Sequence, residues 1–171
     1  MLGAALVLTA PGVPMLFMGQ ELLERGGFTD PPPPLDWSKE QTYRKVEGFY
    51  RDLIRLRRNA DGVSAGLTCP TVEVTHVNTG AKVIAYRRRC ADGQGEVVVV
   101  ANFAGTHYPR YDVGLPSPGT WHVRVDSDDL KYGDDFGAGQ TQVVAQPVER
   151  DGLPYFGAMN LGKYSVLVLS R

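Results

Sequence analysis

Cysteine is scarce: Cys69 and Cys90 are the only two in 171 residues. They form no CxxC pair, and no histidine stands near them at zinc-ligand spacing, so a zinc site is not read here. Two reduced, half-buried thiols in a cytoplasmic protein are the expectation. A charge of one sign is also missing. Eighteen Lys and Arg stand against nineteen Asp and Glu, a formal net charge of -1. No global field therefore favours nucleic acid or an anionic membrane surface, and neither is expected as a partner. The three histidines, His76, His107 and His122, are scattered. No metal and no cofactor is expected.

An uninterrupted apolar run is lacking too. Met1 to Met18 is almost wholly apolar, but Pro11, Gly12 and Pro14 break it. A membrane helix needs about 20 unbroken apolar residues. No Lys or Arg precedes Arg25, so the basic start of a secretory signal is absent as well. The run reads instead as a short buried helix end, a turn at Pro11 to Pro14, and a short buried strand at Met15 to Met18. A strand apolar on both faces suits a parallel sheet covered by helices.

Hydrophobic residues make up 43% and charged residues 22%, enough to bury a core. Twenty Gly and twelve Pro are more than a helical bundle tolerates and demand many turns. After the extended Pro31 to Pro34 run, Ser38 with Gln41 reads as a capping box. Val46, Phe49, Tyr50, Leu53 and Ile54 then follow at i, i+3, i+4, i+7 and i+8, which predicts an amphipathic helix from Tyr43 to Arg58. Beyond Asn59 the period changes. Short alternating or β-branched segments follow at Val72 to His76, Val83 to Tyr86, Val97 to Phe103, Trp121 to Val125, Val143-Val144 and Tyr164 to Leu169. Turn residues separate them, including Asp92-Gly93, Gly137-Ala138-Gly139 and Asp151-Gly152. That pattern predicts an antiparallel β-sandwich over 60–171. Residues 1–59 hold too little for a domain of their own, because a parallel strand needs neighbours.

Pro11-Gly12-Val13-Pro14-Met15-Leu16-Phe17-Met18-Gly19-Gln20-Glu21 resembles the eighth barrel strand of the α-amylase superfamily (glycoside hydrolase family 13). Gly12, Pro14, Gly19 and Glu21 fill all four positions of its Gly-x-Pro-x-x-x-x-Gly-x-Glu pattern. The Met-Leu-Phe-Met-Gly-x-Glu form, with Leu35-Asp36-Trp37 downstream, is similar to the 1,4-α-glucan branching enzymes. The helix ending Phe49 to Arg57 looks like the eighth barrel helix, and the remainder resembles the family's C-terminal all-β domain. Val98 to Phe103, Tyr111 to Trp121, and Asp126-Ser127-Asp128 with Tyr132-Gly133 sit in the family's order.

The resemblance implies a mainly β fold, an antiparallel sandwich preceded by a remnant of the last βα unit of a TIM barrel (end of helix seven, strand eight, helix eight). Enzymes of that family use two carboxylates about 5–5.5 Å apart, supplied by barrel strands four and five, with a third Asp after strand seven. None of these is matched here, so no catalytic residue is assigned and the chain alone is expected to be inactive. Trp37 and Glu21 are the substrate-binding candidates, at the rim of the parent's glucan cleft; packing beneath the prolines is the competing reading of Trp37. Binding of α-glucan is expected to be weak if present.

Two other readings stay open. One is a stand-alone carbohydrate-binding sandwich using Tyr108, Tyr111, Tyr132 and Tyr155. The other is a non-catalytic interaction protein from a truncated gene. Elsewhere the bland readings prevail. The Asp126 to Asp135 acidic loop is read as turn-forming rather than calcium-binding, since it fails the EF-hand spacing. Arg87-Arg88-Arg89 reads as a solvated strand end, and Trp121 as core. The apolar segment before Glu21, lacking barrel neighbours, predicts self-association.

Overall fold

The computed structural model describes residues 1–25, 29, 31–93, 95–137 and 139–171. Two helices, α1 (Leu2–Thr9) and α2 (Lys39–Arg57), precede eight strands: β1 (Thr71–Asn78), β2 (Val83–Arg89), β3 (Val97–Asn102), β4 (Tyr108–Leu115), β5 (Thr120–Asp126), β6 (Gln142–Val144), β7 (Tyr155–Leu161) and β8 (Val166–Ser170). Short 3-10 turns lie at Gln20–Leu22 and Ala65–Thr68. Six strands form one sheet in the order β1-β2-β3-β8-β5-β6, and β4 pairs with β7 in a second. Every ladder is antiparallel.

The unbroken apolar run of β3 has a physical reason. Successive strand residues face opposite sides of a sheet, and both sides of this one are covered. Val97, Val99 and Ala101 meet Val166 and Val168 of β8, together with Phe49, Leu53 and Leu56 of α2 and Ala5 and Leu8 of α1. Val98 and Val100 join Leu167 and Leu169 on the other side, against Val113 and Leu115 of β4 and Met159 and Leu161 of β7. The result is three layers: helices, a six-stranded sheet and a two-stranded sheet. Trp121 is fully buried, and its indole N–H donates to the Ser117 carbonyl at 3.1 Å. It is core, as expected.

Several expectations need correction. Met15 to Met18 forms no ladder, and Met15 and Met18 are exposed rather than buried. Strands need a neighbouring strand to form a ladder, and none of the ladders among the described residues includes this segment. The capping box does not form. Ser38 Oγ donates to Asp36 Oδ1 at 2.5 Å instead, and Asp36 Oδ1 also accepts the Ser38 amide at 3.1 Å. Those bonds hold the Asp36 carboxyl below its ordinary range, aided by nearby Lys39. Cys69 and Cys90 are joined in a disulfide with Cα atoms 5.1 Å apart, not reduced. Arg88 is fully buried, unlike a solvated strand end. Of the segment read as a Gly137-Ala138-Gly139 turn, Ala138 lies outside the described residues.

Candidate functional site

The glycine pattern around Glu21 has a direct local cause. Gly12 and Gly19 hold φ of 96° and 86°, backbone that side chains rarely tolerate. A Cβ on Gly19 would also fall 2.8 Å from side-chain carbons of Glu24 and Leu35. Past Gly19 the chain turns tightly, with the Leu22 and Glu24 amides both donating to the Gly19 carbonyl at 3.0 Å. Gln20 Oε1 accepts the Phe17 amide at 2.9 Å. Arg57, near the end of α2, reaches back to the carbonyls of Ala10 and Gly12. Lys39, at the start of α2, pairs with Glu24 at 2.6 Å. The segment is thus tied to both ends of α2.

Between that segment and α2 runs an open groove of about 570 Å³, lined by Leu16, Phe17, Met18, Glu21, Tyr50 and Ile54, with Arg51, Arg55 and Arg58 along α2. Burial, and then the Glu21 charge, push the Tyr50 phenol above its ordinary range. Glu21 also lines a smaller recess of about 150 Å³ with Leu22, Trp37, Glu40 and Glu47. The two residues singled out in the sequence therefore meet at one recess. Trp37 is 66% exposed, so packing beneath the prolines is not its role. An exposed indole beside three carboxylates offers stacking surface and hydroxyl acceptors to a polyol.

Sequence reasoning also proposed residues that the fold uses otherwise. Tyr132 is buried; its hydroxyl donates to Asp52 at 2.5 Å and its ring meets Phe49 edge-on at 4.9 Å. Burial and then Asp52 raise its phenol strongly. Tyr132 is therefore structural, not a sugar platform. Asp126 accepts the amides of Asp128 at 2.9 Å and Gln140 at 3.1 Å. Burial raises its carboxyl against the lowering effect of those bonds. The acidic loop is a turn that docks on α2, where Lys45 reaches the Leu130 carbonyl at 3.1 Å. Among the described residues, no three His, Cys, Asp or Glu converge as a metal site. Nor is any described helix long and apolar enough to cross a membrane.

Comparison with known proteins bears on the same elements. A 1,4-alpha-glucan branching enzyme from Cupriavidus pinatubonensis is 35% identical over 172 residues, covering 94% of this chain and 22% of the relative. One from Burkholderia vietnamiensis is 32% identical over 165 residues, with coverage of 94% and 22%. One from Deinococcus radiodurans is 29% identical over 173 residues, with coverage of 96% and 24%. The chain spans 22–24% of the length of these relatives. A solved structure of a MutB mutant in complex with the substrate sucrose is 18% identical, with a TM-score of 0.48 over 80% of this chain and 20% of that one. The family model for the α-amylase C-terminal all-β domain matches residues 73–171, from within β1 to the last residue of the sandwich. By that match, over most of its length, the chain belongs to the α-amylase C-terminal all-β domain family.

Proposed function

We propose that the chain is the C-terminal part of an α-glucan-active enzyme of the branching-enzyme type. In this reading the catalytic carboxylates lie elsewhere in the parent polypeptide, and the sandwich serves to hold the last barrel helix. One observation carries it: α2 is shared between two faces. Its inner stripe of Phe49, Leu53 and Leu56 belongs to the core built on the six-stranded sheet. Its other face, with Glu47, Arg51 and Arg55, opens into the groove that Glu21 lines, and Tyr50 and Ile54 lie between the two, touching both core and groove. A helix anchored on one side and grooved on the other suits the seam between a sandwich and a barrel. Glu21 and Trp37 are then rim residues for glucan, with no part in bond cleavage.

Retaining transfer needs a nucleophile and an acid/base about 5–5.5 Å apart, and the loop carboxylates Asp126 and Asp129 are committed to turn amides. The isolated chain should therefore neither shift the iodine stain of amylose nor release reducing ends. Grafted in place of the corresponding part of the Cupriavidus pinatubonensis relative, it should support branching that the truncated relative lacks. Activity of the purified chain alone, abolished by Glu21→Gln, would overturn this reading. So would a soluble, folded chimera with no branching.

A further inference from the structure

Three departures from regular backbone converge on one cleft of the sandwich, remote from α2. The β1–β2 ladder slips between Val74 and His76. The β4–β7 ladder slips between Tyr108 and Tyr111. Asp151, in the turn before β7, holds φ of 55°. Bulges re-aim the side chains beside them, and Asp151-Gly152, both left-handed between the bridged Arg150 and Leu153, is a tight Asp-Gly turn that points the Asp151 side chain back at the sheet. Here all three irregularities bring side chains together.

His76 Nδ1 lies 2.8 Å from Asp151 Oδ1, and His76 Nε2 lies 2.9 Å from the Tyr111 hydroxyl. A carboxylate only accepts, so Nδ1 donates to it, which leaves Nε2 for the bond with the Tyr111 hydroxyl. Asp151 Oδ2 accepts the Gly114 amide at 2.8 Å. The Asn78 side chain also hydrogen-bonds the Tyr111 hydroxyl. The Tyr111 ring meets His76 edge-on at 5.6 Å and Tyr108 at 5.4 Å. Tyr111 is thus held by three neighbours, and the chain of bonds is internally satisfied.

This cluster faces a cleft of about 320 Å³ lined by His76, Asn78, Arg110, Tyr111, Asp112 and Arg150. Arg110 pairs with Asp112 at 3.0 Å. The lining carries two guanidinium groups and the Asp112 carboxylate, and Asp151, bonded to the lining residue His76, offsets the second cation, so little net charge is left to select an ion. It does present planar N–H donors and carboxylate acceptors side by side next to an aromatic ring. A ligand that matches must donate and accept at adjacent atoms and carry apolar patches. Vicinal hydroxyls on a pyranose ring do both.

We propose that this cleft is a saccharide site on the sandwich, in which Arg110, Asp112 and Arg150 meet the hydroxyls of a neutral oligosaccharide and Tyr111 supplies its apolar surface. Assignment of that oligosaccharide to α-1,4-glucan rests on the proposed function. The site is open and lined by six residues, so its affinity falls in the millimolar range. It lies on the β4–β7 side of the six-stranded sheet, whereas the Glu21 recess lies on the helical side. A parent enzyme carrying both would hold two stretches of glucan at once.

The test is a titration of the isotopically labelled chain with maltoheptaose, using cellohexaose and inorganic phosphate as competing probes. Maltoheptaose should shift the amide signals of residues 76–78, 110–112 and 150–151. Arg150→Ala, at an exposed position, should weaken binding about tenfold without moving the urea midpoint. Tyr111→Phe, which keeps the ring, should weaken it less. Shifts confined to the Glu21 and Trp37 region, or none in the millimolar range, would overturn the proposal, as would phosphate binding at the cleft in preference to sugar. Cellohexaose bound there as tightly as maltoheptaose would overturn the assignment to α-glucan. Maltoheptaose shifts in the cleft alongside an inactive chimera would uphold the saccharide site while removing the parent reading.

Discussion

Arg88 is a fully buried cation whose hydrogen bonds all go to backbone carbonyls. Its Nε donates to Thr71 at 3.1 Å, and its terminal nitrogens donate to Thr9, Cys69 and, at 3.4 Å, Leu67. Burial, and then the neighbouring Arg57 charge, lower its pKa from the ordinary guanidinium value. One of those carbonyls, Thr9, closes the C-terminal end of α1, where the helix dipole favours a cation. Arg57 takes the next carbonyl, Ala10, at 2.6 Å. Thr9 also shares a 2.5 Å hydrogen bond with Tyr86. Arg88 therefore stitches α1, the 3-10 turn at Ala65–Thr68 and β1 to β2. Replacing it by Met removes a desolvated charge, which favours the variant, but leaves several buried carbonyls without donors at about 1–3 kcal/mol each. The second effect wins, so Arg88→Met should cost at least about 2 kcal/mol in urea unfolding. Arg88→Lys should recover part of that loss, since an ammonium cannot span the whole fork. A cost well below about 1 kcal/mol would mean that water replaces the lost donors. Strand alternation explains why this residue was misread: Arg87 and Arg88 face opposite sides. Arg87 meets Glu73 at 2.7 Å near the surface, while Arg88 points into the helical layer.

The disulfide sits on the same junction, joining the end of one 3-10 turn to the residue after β2 across 21 positions. Closing a loop of that length stabilises the fold by about 3 kcal/mol. The chain should show no thiol titratable without reductant, and Cys69→Ser with Cys90→Ser should lower stability by about that amount. Two free thiols in the native chain would restore the reduced reading. Nothing in the spacing of these cysteines announces the pair, which depends on the 3-10 turn crossing back over β2. Other elements were legible for reasons the packing now supplies. The β3 and β8 runs are apolar throughout because two layers cover them, and the stripe of α2 shows at Phe49 and Leu53 because one face is core. β4 and β7 were not legible. Tyr108–Leu115 carries Pro109 and Gly114, and Tyr155–Leu161 has no β-branched residue, so neither announces a strand. The same contrast holds for the sites. Glu21 and Trp37 stand close in sequence beside a family pattern, whereas His76, Tyr111 and Asp151 come from three separated elements and meet only in the folded chain.

The layers leave an apolar surface uncovered at the segment before Glu21. Val13 is 97% exposed, Met15 77% and Met18 47%. The segment bearing them cannot fold inward, because Arg57 holds it at Gly12 and Gln20 holds it at Phe17. Removing such side chains from water favours association at about 25 cal/mol per Å² of apolar area. Against this stand the rigid-body cost of association and a patch smaller than the roughly 1,600 Å² of a stable interface. Self-association should therefore occur but stay weak, with a dissociation constant in the high micromolar range or above, about −5 kcal/mol or weaker. Light scattering over a concentration series should show a rising mean mass. Joint replacement Val13→Ser, Met15→Ser and Met18→Ser should flatten that rise without changing the unfolding midpoint. In the proposed parent the same surface would face the rest of the barrel, and the chimera should show no such rise. A chain that stays monomeric throughout the series would mean that the surface tolerates water as it stands.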